Sequence, residues 1–401
     1  MDGRWDVNKL QRFAMAVAAS AIFCGCSIRG PDTMQDLRIG YNKAVHASEA
    51  REVLLNLVRL RYADAPEFLE IGAISSQMNF RASASVGGDF GQVEDATSSF
   101  LTPVLGVGVG ESPTVTFVPK RDREFIRRLV RQLPVQSLFS LTAYGWELDR
   151  ILRLAAQDIN GISNQPGREP SAEDMEDLRR FADLAERLYL AEQERQLGFA
   201  LIVQEMPVVE TTFVDTTLES IAAMVESGYS IQETGAGVQL YRQEQSLTLW
   251  VSPVYAGSEG FRSLAADLGV SADGARIEVR ESNGLPTPAD GTLRVEPRSP
   301  AAILAYLAFA VDVPPEHLLR YGLVDNRDQD SLMADLLDVR VATTLPEDAW
   351  LSVPYRGHYY YVAEDDVSSR KTLSLAGTLV MLAMQRQEGS LLPVLTLPVG
   401  R

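Results

Sequence analysis

Cysteine is almost absent: the 401 residues hold two, Cys24 and Cys26, and none follows. The body of the chain therefore carries no disulfide framework, no thiolate zinc site and no cysteine nucleophile. Such economy suits an oxidising compartment. Histidine is nearly as scarce. His46, His317 and His358 stand far apart, in neither His-x-x-x-His nor His-Glu-x-x-His spacing, so the sequence predicts no metal centre and no cofactor. Positive charge is also short, with 37 Lys and Arg against 54 Asp and Glu and a formal net charge of −17. That field repels phosphate backbones, which argues against nucleic acid as a partner.

What is present is the composition of a folded globular protein, 46% hydrophobic and 23% charged, with length for two or three domains. The N-terminus carries the strongest signal. Arg4, Lys9 and Arg12 are set against Asp2 and Asp6, and an apolar run follows from Phe13 to Phe23. At about 11 residues it fits the h-region of a secretory signal and falls short of the roughly 20 that span a bilayer. The run ends in Phe23-Cys24-Gly25-Cys26-Ser27, which resembles a lipobox with Phe23 in place of the usual leucine and Cys24 in place of a small alanine or serine. The resemblance implies a lipoprotein: residues 1–25 a signal peptide, Cys26 the lipidated new N-terminus carrying palmitate-type chains, and Ser27 the residue commonly found in outer-membrane sorting. Three acyl chains at roughly 0.8 kcal/mol per buried methylene hold such a protein on its membrane. The expected location is the bacterial outer membrane, lipid-anchored and facing the periplasm.

Beyond Cys26 the pattern predicts an α+β fold, an N-terminal helical region carrying a long β-hairpin followed by a mixed α+β C-terminal domain. Residues 26–43 read as a polar tether and 44–165 as the helical domain. Within it a helix over 44–62 repeats apolar residues at three and four. The charged stretch 171–195 reads as an exposed connecting helix and domain boundary, and 196–401 as the α+β domain. A helix over 147–160 is closed by Gly161, and Asp365-Asp366 sit where they would cap a helix beginning near Val367.

The hairpin spans 77–118. Met78, Phe80, Ala82, Ala84 and Val86 alternate with polar residues on the first strand, and Leu105, Val107 and Val109 alternate with glycines on the second. Two readings stand. A soluble sheet with one buried face is favoured by Pro103, Pro113 and the lack of an aromatic girdle. The other is a membrane hairpin, which resembles in pattern the hairpins that outer-membrane export channels contribute to a shared barrel. The glycine triplet Gly106, Gly108, Gly110 leads into a strand and lacks a following Lys-Ser or Lys-Thr, so it is no phosphate loop. The run Asp325 to Asp330 lacks the central glycine and closing glutamate of a calcium loop.

No Gly-x-Ser-x-Gly elbow occurs and catalysis has no anchor, so the chain reads as a non-enzyme. The candidate ligand surface is Arg356, His358, Tyr359 and Tyr361, a basic and aromatic group that could stack on a glycan. The stretch Val53 to Tyr62 with Pro66-Glu67-Phe68-Leu69, together with Tyr355-Arg356-Gly357-His358-Tyr359-Tyr360, Asp365-Asp366 and Ser369-Arg370-Lys371-Thr372, resembles an uncharacterised bacterial lipoprotein family, which implies a lipid anchor and no particular chemistry. The expected function is a non-enzymatic structural or accessory subunit of an envelope assembly. Its partners would be the membrane, other envelope proteins or its own copies. The alternatives are an oligomeric export or pore component using the hairpin, and a periplasmic glycan-binding protein or hydrolase.

Overall fold

In the computed structural model of the chain the fold is mixed α+β, as the pattern predicts. The structure describes residues 30–88, 101–166, 171–208, 225, 229–234, 237–271, 276–282, 284, 290–323 and 333–384. The signal segment, Cys26 and the acidic run Asp325 to Asp330 lie outside them. The chain divides into two units, Met1–Val53 and Leu54–Arg401.

The first unit consists, where described, of helix α1 (Gly30–Arg61), which continues into the second. The helix starts well before residue 44, and residues 26–43, read as a tether, are helical from Gly30. Its side chains from Arg38 to Glu52 are exposed or half-buried. In the second unit Leu54, Leu57 and Val58 are wholly buried, so the apolar repeat turns into a packed face only over the last two turns. The helix ends on a left-handed residue, Ala63, at φ 56°. There the amide of Asp64 reaches the Arg59 carbonyl at 2.9 Å and that of Ala63 reaches Leu60 at 3.0 Å, a Schellman closure.

Strands β1 (Leu69–Gly88) and β2 (Leu101–Pro119) follow as one antiparallel ribbon that forms a two-stranded sheet by itself. The second unit continues with α2 (Arg123–Val130), α3 (Val135–Ser140), α4 (Leu148–Ala155), β3 (Ala156–Ile159), β4 (Ile162–Ser163) and α5 (Ala172–Gln193). Then come β5 (Leu197–Pro207), β6 (Tyr229–Thr234), β7 (Gly237–Val251), α6 (Pro253–Ala256), α7 (Glu259–Leu268), β8 (Arg276–Glu281) and β9 (Leu293–Pro297). The last elements are α8 (Pro300–Leu307), α9 (Pro315–Tyr321), β10 (Arg340–Ala342), β11 (Ala349–Tyr355), β12 (His358–Ala363) and α10 (Val367–Met384).

The main sheet runs β4-β3-β9-β8-β7-β5, with β6 also on β7. Only β8–β9 is parallel among its pairings. Its apolar face, with Leu247, Leu249, Val251, Ile277, Val279 and Val295, is covered by Phe181, Leu184 and Leu188 of α5 and Phe261 and Leu264 of α7. Each such side chain contributes roughly 1.5–3 kcal/mol by leaving water. A capping box between Ser171 and Asp174 starts α5.

Two sequence expectations change here. The helix over 147–160 stops at Ala155, and residues 156–159 become β3 because they pair with β9, more than a hundred residues away. That pairing also joins what the sequence divides at 171–195 into two domains. The charged helix is no exposed linker: its Phe181-Leu184-Leu188 stripe is core. A buried arginine stitches the same junction. Arg298, 3% exposed, donates from Nη1 to the Arg153 and Leu154 carbonyls at 2.9 Å each, and from Nη2 to the Asn164 carbonyl. Two of these acceptors are carbonyls of the last turn of α4, where a cation complements the helix dipole, and the Arg153 carbonyl also accepts from Asn164 Nδ2 at 2.9 Å. Its guanidinium lies 3.9 Å from the Tyr306 ring centre, and burial pushes its pKa down to about 10. As expected, Asp366 caps α10, accepting from the Ser369 amide at 2.9 Å.

Candidate functional site

The feature without a counterpart in the main sheet is the ribbon. Its register pairs Leu69 with Pro119 at the root and Gly88 with Leu101 at the far end. At roughly 3.3 Å per residue, strands of 20 and 19 residues extend about 65 Å. Cross-strand partners share a face, so the register sorts the residues. One face holds the pairs Phe80–Val109, Ala82–Val107, Ala84–Leu105 and Val86–Pro103. The other holds Asn79–Gly110, Arg81–Gly108, Ser83–Gly106 and Gly87–Thr102. The apolar residues named from the sequence thus fall together on one face.

Near the root, where burial is described, both faces are open. Val115 is 38% and Phe117 53% exposed on one, Val118 45% on the other. Among the described residues of the root neither face is dry. The first strand also begins at Leu69, ahead of the predicted start at 77, and the second ends at Pro119, one residue past the predicted end. A bulge between Ile71 and Ala73 reverses the face of the residues before it.

The root itself is clamped. The buried Asn56 amide bridges both backbone groups of Glu67, donating to its carbonyl at 2.8 Å and accepting from its amide at 2.9 Å. Phe68 packs on Phe125 with ring centres 5.5 Å apart. Glu67 holds Arg121 at 2.6 Å, and Glu70 pairs with Lys120. Helix α1, the ribbon and α2 therefore meet at one fixed joint.

Behind that joint lies a cluster that the sequence only half reveals. The Tyr62 hydroxyl is 2.6 Å from His317 Nδ1 and 2.5 Å from the Tyr360 hydroxyl. With Nδ1 of His317 unprotonated, the chain runs from the Tyr360 O–H to Tyr62 and from the Tyr62 O–H to His317. Burial favours that state: it holds His317 below the ordinary imidazole value, and the neighbouring His358 adds to the effect. Burial likewise raises both tyrosine hydroxyls. Asp64 accepts from the Tyr355 hydroxyl and from Arg356 Nη2 at 2.8 Å, bonds that hold its carboxyl below the usual range, with Arg356 foremost. The Arg356 guanidinium caps the Tyr321 ring at 4.3 Å. His358 faces Glu316 at 3.4 Å and meets the His317 ring edge-on at 4.9 Å. The β11–β12 turn that presents Arg356 has positive φ at Arg356 (46°) and Gly357 (86°), the two-residue turn that suits strand twist.

Of the ligand surface read from sequence, Arg356 and His358 join this cluster. Tyr359 and Tyr361 do not, since alternation sends them to the opposite face of β12, while Tyr360 is completely buried. Tyr62, Asp64, His317 and Tyr355 were not foreseen. The hydroxyls of Tyr62, Tyr355 and Tyr360 and the His317 imidazole are turned on partners within the cluster, an arrangement that fastens the end of α1 to α9 and the β11–β12 turn. A cavity of about 20 Å³ bordered by Arg153, Asn164, Tyr306 and Met333 has room for about one water. Among the described residues no group of three or more His, Cys, Asp or Glu could hold a metal ion, and no helix is long and apolar enough to cross a membrane. Comparison with known protein families, with curated proteins and with solved structures finds no match.

Proposed function

We propose that this chain is a lipid-anchored envelope protein, tethered through Cys26, whose ribbon joins the ribbons of other copies in a closed β-barrel in the outer membrane. The observation that carries this is a ribbon with both strand edges unpaired by any other described strand and one apolar, one hydrophilic face in register. A lone two-stranded hairpin is marginal in water. In a membrane its free backbone groups would each cost several kcal/mol, unless a closed ring of strands pairs them. From Met78 to Val86 and from Leu101 to Val109 the ribbon supplies about nine residues per strand, which crosses a bilayer at barrel tilt. The clamped root fixes the direction in which each copy offers its ribbon. This reading makes the chain a self-assembling envelope component without a catalytic role.

The test compares wild type with a chain in which residues 78–111 are replaced by a short Gly-Ser turn. Wild type is expected in outer membranes as a detergent-resistant oligomer that incorporates a palmitate analogue, and Cys26→Ala loses the label. The shortened chain is expected to keep the label and the fold but to run as a monomer. An oligomer of unchanged size without the ribbon overturns the reading.

A further inference from the structure

The hydrophilic face of the ribbon carries an uneven charge. Between the pairs Gln77–Ser112 and Gly87–Thr102 its residues are Asn79, Arg81, Ser83 and Ser85, set against Gly110, Gly108, Gly106 and Val104. Arg81 is the one charged residue in that span, and within it no carboxylate shares its face. Glu111 belongs to the other face, opposite Met78. Glu70 sits on Arg81's face, but at the root and in a pair with Lys120. This is notable in a chain of net charge −17, whose bulk surface favours cations.

Resting on the barrel reading above, we infer that the pore conducts anions, and that a ring of Arg81 residues, one from each copy, selects them. Closure of identical ribbons puts every Arg81 at one height, because all copies share one register. The hydrophilic face must be the wet one, since the apolar face meets lipid. Glycine opposite Arg81, and on the pairs to either side, adds no side-chain bulk at that level. A ring of like charges within a low-dielectric wall concentrates the counter-ion, and arginine rings serve this role in anion-selective pores. The permeant class is therefore small or extended anions, for which inorganic chloride and phosphate are the probes.

The experiment reconstitutes the full-length lipidated oligomer in planar bilayers under a KCl gradient and reads the reversal potential for wild type, Arg81→Gln and Arg81→Glu. Wild type is expected to reverse on the chloride side. Arg81→Gln should move the potential towards zero, and Arg81→Glu should carry it to the potassium side. Phosphate should permeate wild type and be excluded by Arg81→Glu. Channels that are cation-selective in wild type, or that keep the same potential in all three proteins, overturn the arginine ring and leave the barrel standing. Bilayers that stay silent with wild-type oligomer overturn both. Arg81→Gln, which stays polar and removes only the charge and some length, separates a charge effect from failure to assemble.

Discussion

The chain contains the same strand pattern twice, in two settings. In β7 and β8, Leu247, Leu249, Ile277 and Val279 alternate with polar residues, and α5 and α7 cover their apolar side, leaving Leu249 wholly buried. In the ribbon a similar alternation leaves Phe117, near the root, 53% exposed. Alternation thus records that one face must leave water without saying what receives it. In the main sheet the receiver is in the chain. On the barrel reading proposed above, the receiver in the ribbon would be lipid together with neighbouring copies, against an apolar face about nine residues deep.

The largest effect that sharpens this contrast comes from truncating one residue of each kind. Leu249→Ala should cost about 3 kcal/mol, because the filled space between sheet and helices cannot collapse. Phe117→Ala should change the isolated protomer by less than about 0.5 kcal/mol while lowering the fraction recovered as oligomer. Urea unfolding followed by tryptophan fluorescence reads the body, since Trp146, Trp250 and Trp350 all lie in it. Equal losses at both positions would mean that the ribbon is covered by its own chain, and the comparison would collapse.

A smaller effect tests the joint. Tyr62→Phe removes the hydroxyl shared by His317 and Tyr360 and leaves two buried polar groups without their partner, at roughly 1–3 kcal/mol. Because Tyr62 stands between α1 and β1, the loss should also loosen the ribbon root, read as faster amide exchange at Glu67 and Phe68. A stability loss without that exchange would confine the cluster to the core of the body.

The ribbon was legible because a period of two persists through Met78, Phe80, Ala82, Ala84 and Val86. Its first eight residues were not, since the bulge at Gly72 breaks the phase. The strand at 156–159 was hidden for another reason: Leu148, Ile151, Leu152, Ala155 and Ile159 keep helical spacing up to its end, and only the distant β9 makes the difference. The stripe of α5 was present at Phe181, Leu184 and Leu188 but was outweighed by the charge around it. In the cluster, Tyr62 is 255 positions from His317 and 298 from Tyr360, a separation that no local pattern bridges. The division within the tyrosine run was readable, because alternation alone puts His358 and Tyr360 on one face and Tyr359 and Tyr361 on the other.

The smallest effect is a pH dependence of the joint. His317 is held below the ordinary imidazole value of 6.5 in the fold, burial being the main cause. The unfolded chain therefore binds the proton more readily. The stability that follows from keeping His317 neutral is complete above about pH 6.5 and declines as pH falls towards the folded value. Glu316 opposes this, whereas His358, Arg320 and Arg356 reinforce it. Asp64 acts in a separate window: its lowered pKa contributes stability above its ordinary value of 3.8, lost only at stronger acid. Protonation at Nδ1 also removes the acceptor for the Tyr62 hydroxyl, so the loss should concentrate at the ribbon root. Unfolding measured at pH 7.5 and pH 5.5 is expected to show a drop in wild type that is smaller in His317→Gln, with Leu249→Ala keeping the wild-type slope. If His317→Gln keeps the full slope, the dependence arises elsewhere in the fold, and the joint is a passive fastening.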